Sequence, residues 1–144
     1  MDVAAATRQY LLAQAEISDL VSDRIFIGGL RADQAVSMPR KAIVLNHSGG
    51  TAFGGGVGGG DLTELIEQRI DFFCYGETAV EAAKVRTAVF GAMKRMIRQV
   101  FSGVLLHRAL ESGGAVSLKD PDGGWPLFMQ AWSVLGATTV PVNS

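Results

Sequence analysis

Residues 66–93 read IEQRIDFFCYGETAVEAAKVRTAVFGAM, and this stretch decides the fold. From Ile66 the chain alternates. Ile66, Gln68, Ile70, Phe72 and Cys74 share one side, and Glu67, Arg69, Asp71, Phe73 and Tyr75 share the other. A period of two is that of a strand, here with one mostly apolar face. Thr78-x-x-Glu81 is then a capping box, which starts a helix. The spacing predicts that helix over Ala79–Gln99, with Ala82, Val85, Val89, Met93, Met96 and Val100 as its apolar stripe. Glu77 and Glu81 near its start and Lys94, Arg95 and Arg98 near its end complement the helix dipole.

Working outward, Asp2 is a plausible N-cap, and Val3, Ala6, Tyr10, Leu11 and Ala13 follow at helical spacing, predicting a helix over Val3–Gln14. A short second turn brings Ile17, Leu20 and Val21 inward. Arg24–Ile27 reads as a short strand stopped by Gly28-Gly29. Pro39 pushes Met38 toward extended geometry, and Lys41–Asn46 reads as the next strand.

Ser48–Gly60, SGGTAFGGGVGGG, has glycine at eight of the twelve positions from Gly49 to Gly60. Ordering such a run costs much entropy, so it reads as a flexible loop at the tip of an antiparallel hairpin. On the far side of the helix, Val104–Leu110 is a strand, interrupted by Gly113-Gly114 and resumed over Ala115–Lys119. Asp120-Pro121-Asp122-Gly123-Gly124 is a turn, and Trp125–Ala137 closes the sheet. Leu127, Met129, Ala131 and Ser133 lie on one side of it, and Phe128, Gln130, Trp132 and Val134 on the other. The tail TTVPVNS is expected to fray. The order predicts one α+β domain over residues 1–144: an antiparallel sheet with the N-terminal and long helices on one face, and a glycine-rich loop over 48–60.

Composition bounds the function. The 144 residues are 48% hydrophobic and 19% charged, with a net charge of -1. This is a globular chain without bulk attraction for nucleic acid or anionic membrane. The start lacks a signal peptide's basic residues and apolar run, and no apolar run has the length of a membrane span. The lone Cys74 excludes an intrachain disulfide and a cysteine metal cluster; on its apolar strand face it reads as a buried, inert thiol.

The glycine run invites a phosphate-binding reading. A P-loop needs Lys-Ser/Thr after its last glycine, and here Asp61 follows Gly60. Gly54, Gly56 and Gly59 match Gly-x-Gly-x-x-Gly, but in so glycine-dense a run the match is nearly inevitable, and a strand follows it. His47 and His107 lack carboxylates at metal-ligand spacing, and no nucleophile elbow is present. Glu64 with Glu67, and Asp120 with Asp122, need no acid–base reading. No catalytic residue, metal ligand or cofactor is therefore expected. Six basic residues and no acid fall between Ala82 and Leu110: Lys84, Arg86, Lys94, Arg95, Arg98 and Arg108. They read as a solvated face, or as a contact for an acidic neighbour subunit or DNA.

The ordered set of segments resembles the tail-terminator, or tail-completion, proteins of long-tailed bacteriophages and gene-transfer particles. DVAAATRQYLLAQAEISDLVSDRIFIGGL looks like that family's opening helix and first strand, and the Met38-Pro39 step into KAIVLN is similar to its second. QRIDFFCYGETAVEAAKVRTAVFGAM resembles its central strand and long helix, and DPDGGWPLFMQAWSV its closing hairpin. The glycine loop is richer than that pattern. The resemblance implies a non-enzymatic virion protein, assembled in the bacterial cytoplasm. Its homo-oligomeric, hexameric ring would cap the head-proximal end of the tail tube, stop tube polymerisation and join the tail to the neck. Its partners would be the tail tube protein and a head–tail connector, with DNA passing through the lumen without base-specific contacts. On this reading Phe53, Val57, Asp61, Arg69, Lys94, Arg95 and Arg98 are the candidate interface residues. The alternatives are another neck component, such as a head-closure protein, or a small ligand-binding module using the glycine loop.

Overall fold

The computed structural model describes residues 2–30, 35, 38–53, 65–121 and 123–138. Among the described residues the helices are α1 (Val3–Leu12), α2 (Ala15–Val21) and α3 (Ala79–Lys94); α2 packs on both α1 and α3, which lie against one sheet. Its strands are β1 (Ile25–Ile27), β2 (Ala42–Phe53), β3 (Leu65–Tyr75), β4 (Gln99–Phe101), β5 (Val104–Glu111), β6 (Val116–Lys119) and β7 (Pro126–Thr138). The spatial order is β1-β2-β3-β7-β5-β4, with β6 continuing the β5 side along the first half of β7. The α+β class read from the sequence is the class observed.

The helix starts follow from local chemistry. Asp2 Oδ1 accepts from the Ala5 N–H at 2.9 Å, and Thr78 Oγ1 accepts from the Glu81 N–H at 3.2 Å. Each satisfies a donor that the first helical turn leaves orphaned. The Glu81 carboxylate pairs with Lys41 Nζ at 3.1 Å. Gly76 makes the short β3–α3 turn possible, because a Cβ there would lie 2.3 Å from the Ala82 nitrogen.

Three expectations change. The sheet is not wholly antiparallel: β1 pairs with β2 in parallel, Ile25 opposite Ile43. Residues 28–41 link the two strands, and a parallel pair needs a connection of about a dozen residues. The strand read as ending at Asn46 continues to Phe53, into the glycine-rich stretch, because β3 offers it a partner throughout. The link to β2 includes a cis Met38–Pro39 peptide bond. Finally, α3 stops at Lys94, short of Gln99. Arg98 takes a positive φ of 43° and donates its N–H to the His107 carbonyl at 3.1 Å. Gln99–Phe101 then forms β4, which turns back through Ser102 (φ 52°) and Gly103 (φ 73°). Positive φ at both central residues is the mark of a two-residue hairpin turn. Met96 is buried as predicted; Val100, placed in the helix stripe by spacing, is 57% exposed on β4.

The main core lies between sheet and helices. Ile70, Phe72 and Cys74 of β3 and Trp132 and Val134 of β7 meet Tyr10, Leu11, Val85, Val89 and Met93 there. Trp132 is fully buried and meets Phe90 edge to face at 5.7 Å. Gly136 lets α1 approach β7, since a Cβ there would sit 3.0 Å from Val3 Cγ2. A second, smaller cluster lies on the opposite face, where Ala42, Val44, Tyr75 and Leu127 are buried with Phe26, Leu30, Phe73, Trp125 and Met129 around them. Asp122, Thr139–Ser144 and the glycine positions from Gly54 to Gly60 lie outside the described residues, so the turn is seen only in part and the expected fraying tail lies beyond β7.

Candidate interface surfaces

The sequence-selected residues fall in separate places. Phe53 ends β2, its backbone paired with Leu65; Val57 and Asp61 lie outside the described residues. Arg69 stands on the sheet face away from the helices, half-exposed, with Nε 3.9 Å from Asp71 Oδ1. Lys94, Arg95 and Arg98 gather instead at the end of α3, on the helical side.

The basic run acquires acids from distant sequence. Lys94 Nζ meets Glu111 Oε1 at 3.1 Å and lies 5.7 Å from the centre of the Phe90 ring. The hydrogen bond from Lys94 holds the Glu111 carboxyl below its usual range. Arg95 pairs with Glu16 of α2. The Arg86 guanidinium sits 5.3 Å over the same Phe90 ring. Arg98 has no ion pair among the described residues. The end of α3 is thus a mixed, largely compensated surface.

His47 is exposed beside a bulge in β2, with Nε2 3.9 Å from Asp2 Oδ1. His107 sits at the β5 bulge. Among the described residues no group of three or more His, Cys, Asp or Glu gathers in metal-holding geometry. Cys74 is buried, and desolvation pushes its thiol up to about 12. No described helix is long and apolar enough to cross a membrane.

Two surfaces were not singled out by sequence reasoning. The first is a row of exposed apolar side chains, Leu110, Val116 and Leu118, 42–48% exposed, along the β5–β6 side of the sheet. Val116 pairs with Met129, and Leu118 with Leu127, so the row borders the second cluster. The second is a cavity of about 340 Å³ on the same sheet face, lined by Val44, Asn46, Phe73, Tyr75, Asp120 and Trp125 among others. The available signal was Phe73 and Tyr75 on the nominally polar side of β3, matched by Leu127 and Met129 on β7. Apolar residues on both faces at one end of a strand pair imply that both faces are covered there.

No protein-family model matches the chain, and no curated protein matches it in sequence. Its fold is similar to that of a solved chain from the "Virion of native gene transfer agent (GTA) particle". The TM-score is 0.61 and the identity 13%, over 94% of this chain and 94% of that one.

Proposed function

We propose that this chain is a structural virion protein, specifically a tail terminator: a ring-forming subunit that caps the head-proximal end of a tail tube and joins it to the neck. The observation that carries the reading is the shared fold with a chain of a gene-transfer-agent virion across 94% of both chains. The ordered resemblance of its segments to tail-completion proteins points the same way. The role is non-enzymatic, and DNA passes through the lumen without base-specific contact.

The sheet has the parts a ring needs. β1 covers only Ile43–Leu45 of β2, and β4 covers only Val104–Leu106 of β5. Strand edges beyond those residues have no described neighbour on their outer side. Exposed edges are templates for pairing with another chain. Two different edges at opposite ends of one sheet suit a heterologous, head-to-tail contact, and such contacts make a ring where the rotation between neighbours closes. Leu110, Val116 and Leu118 would be buried in that contact. Phe53 and Val57 of the glycine-rich segment, Asp61 just after it, and Arg69, Lys94, Arg95 and Arg98 would meet the tube, the connector or the next subunit.

The test is native mass spectrometry and electron microscopy of the purified protein and of particles carrying it. A hexameric ring between tube and neck is expected. Val116→Lys with Leu118→Lys should leave a folded monomer, and deletion of residues 54–60 should leave the fold but impair joining of tube and neck. A protein that stays monomeric and is found elsewhere in the particle would sink the reading. A position in the neck away from the tube end would instead mark a head-closure component.

A further inference from the structure

A third surface lies on the outer side of the helices. α2 packs on α3, and an open groove of about 590 Å³ runs between them. Leu20 of α2 and Val80, Ala83 and Ala88 of α3 give it an apolar floor. Its walls differ in charge: Glu16 and Asp19 stand on the α2 side and Lys84 on the α3 side. Glu16 pairs with Arg95. Asp19 is exposed, and its carboxylate has no ion pair or hydrogen bond among the described residues, Lys84 included. The long apolar stem of Lys84 lets it cover the groove wall while its ammonium stays in water.

The chain itself carries a segment that complements this groove. Among the described residues, the large apolar side chains more than half exposed are Val80 at 66%, Ile97 at 68% and Val100 at 57%. Val80 lies in the groove. Ile97 and Val100 flank Arg98, whose guanidinium has no ion pair or hydrogen bond among the described residues. An apolar floor with a free carboxylate on its wall suits an apolar segment carrying a cation, and an acidic segment would be repelled by Asp19. The two patches cannot meet within one chain. Val80 is in the first turn of α3 and Ile97 follows its last, so about 21 Å of helix separates them. They also belong to different edges of the sheet: α2 leads into β1, and Arg98 leads into β4. A head-to-tail contact brings two such sides together.

We propose that the α2–α3 groove seats a second copy of this chain, which lays Ile97 and Val100 over Leu20, Val80 and Ala83 and pairs its Arg98 with Asp19. The inference rests on the ring reading and deepens it, by naming the side chains that one subunit offers the next.

Charge reversal tests it, read by native mass spectrometry and sedimentation of the full chain. Asp19→Arg and Arg98→Asp should each weaken self-association roughly tenfold or more, because each sets like charges face to face. Both positions are exposed, and Asp is among the residues that tolerate the positive φ at Arg98, so melting temperatures should hold. An equimolar mixture of the two variants should assemble again, since each supplies the charge that the other has lost. Ile97→Ser with Val100→Ser should also weaken association, with the fold intact. Rings that persist in either reversal overturn the groove contact and leave the ring reading standing. Variants that lose the ring and do not recover on mixing overturn the Arg98–Asp19 pairing. A wild-type chain that forms no ring, alone or on a tube end, overturns both readings.

Discussion

Tyr10 Oη donates to the Ala92 carbonyl oxygen at 2.5 Å, joining the first helix to the last turn of the long one. Both residues are buried, and the Tyr10 ring also meets Phe101 edge to face at 5.8 Å. One side chain thus ties α1 to both α3 and β4. Desolvation raises the Tyr10 phenol above its ordinary range, which keeps it a donor. Tyr10→Phe should cost about 1–2 kcal/mol, the scale of a buried hydrogen bond removed from one side. Urea unfolding measures this, and an unchanged midpoint would show that the bond contributes nothing.

Gly76 should tolerate no side chain. A Cβ would lie 2.3 Å from the Ala82 nitrogen and 2.7 Å from the Glu81 carbonyl carbon, both backbone atoms of the first turn of α3. Gly76→Ala should destabilise the fold by about 1–3 kcal/mol, as overpacking does where the neighbour cannot yield. Thermal unfolding checks it. A stability equal to wild type would mean that the β3–α3 turn moves freely.

Cys74 should resist thiol reagents. It is 2% exposed, and burial pushes its thiol up to about 12. The reactive species is the thiolate. Labelling with an aromatic disulfide at neutral pH should therefore track unfolding, accelerating sharply through the urea transition. Prompt stoichiometric labelling of the native protein would contradict this placement.

Alkali should destabilise the protein from about pH 9 upward. Folding raises Cys74 from 9.0 to about 12, and raises Tyr75 from 10.0 to about 12, through desolvation first and then the Asp120 carboxylate. Above each unfolded pKa the native state holds more protons than the unfolded chain, so stability falls as pH rises. The stabilisation is complete below pH 9 and is lost between pH 9 and about 12. Melting temperatures across that range should fall, with a shallower slope in Cys74→Ala and Tyr75→Phe. Parallel curves for all three proteins would refute the assignment.

The failures of sequence reading have a common cause. The apolar spacing of α3 continues past Lys94 to Val100, so by spacing alone the helix continues too. The helix ends at Lys94, and the Arg98 N–H goes instead to the His107 carbonyl of β5, a strand distant in sequence. Gly49 and Gly50 suggested loop because glycine is permissive. They are strand because β3 lies alongside, so close that a Cβ on Gly50 would meet the Glu67 carbonyl oxygen at 2.7 Å. The run from Ala82 to Leu110 read as unopposed positive charge, yet Glu16 and Glu111 reach Arg95 and Lys94 from outside it.

By itself the sequence determined the helix starts at Asp2 and Thr78, the alternating faces of β3 and β7, the turn at Asp120, and so the α+β class. Each is set by neighbours within a few residues, through caps, periodicity and turn chemistry. Only the tertiary structure decided the parallel β1–β2 pair, the end of α3, the compensation of the basic run, and the meeting of Phe73, Tyr75, Asp120 and Trp125 in one pocket. Those depend on distant segments brought together by burial, and local spacing carries no information about which segment will arrive.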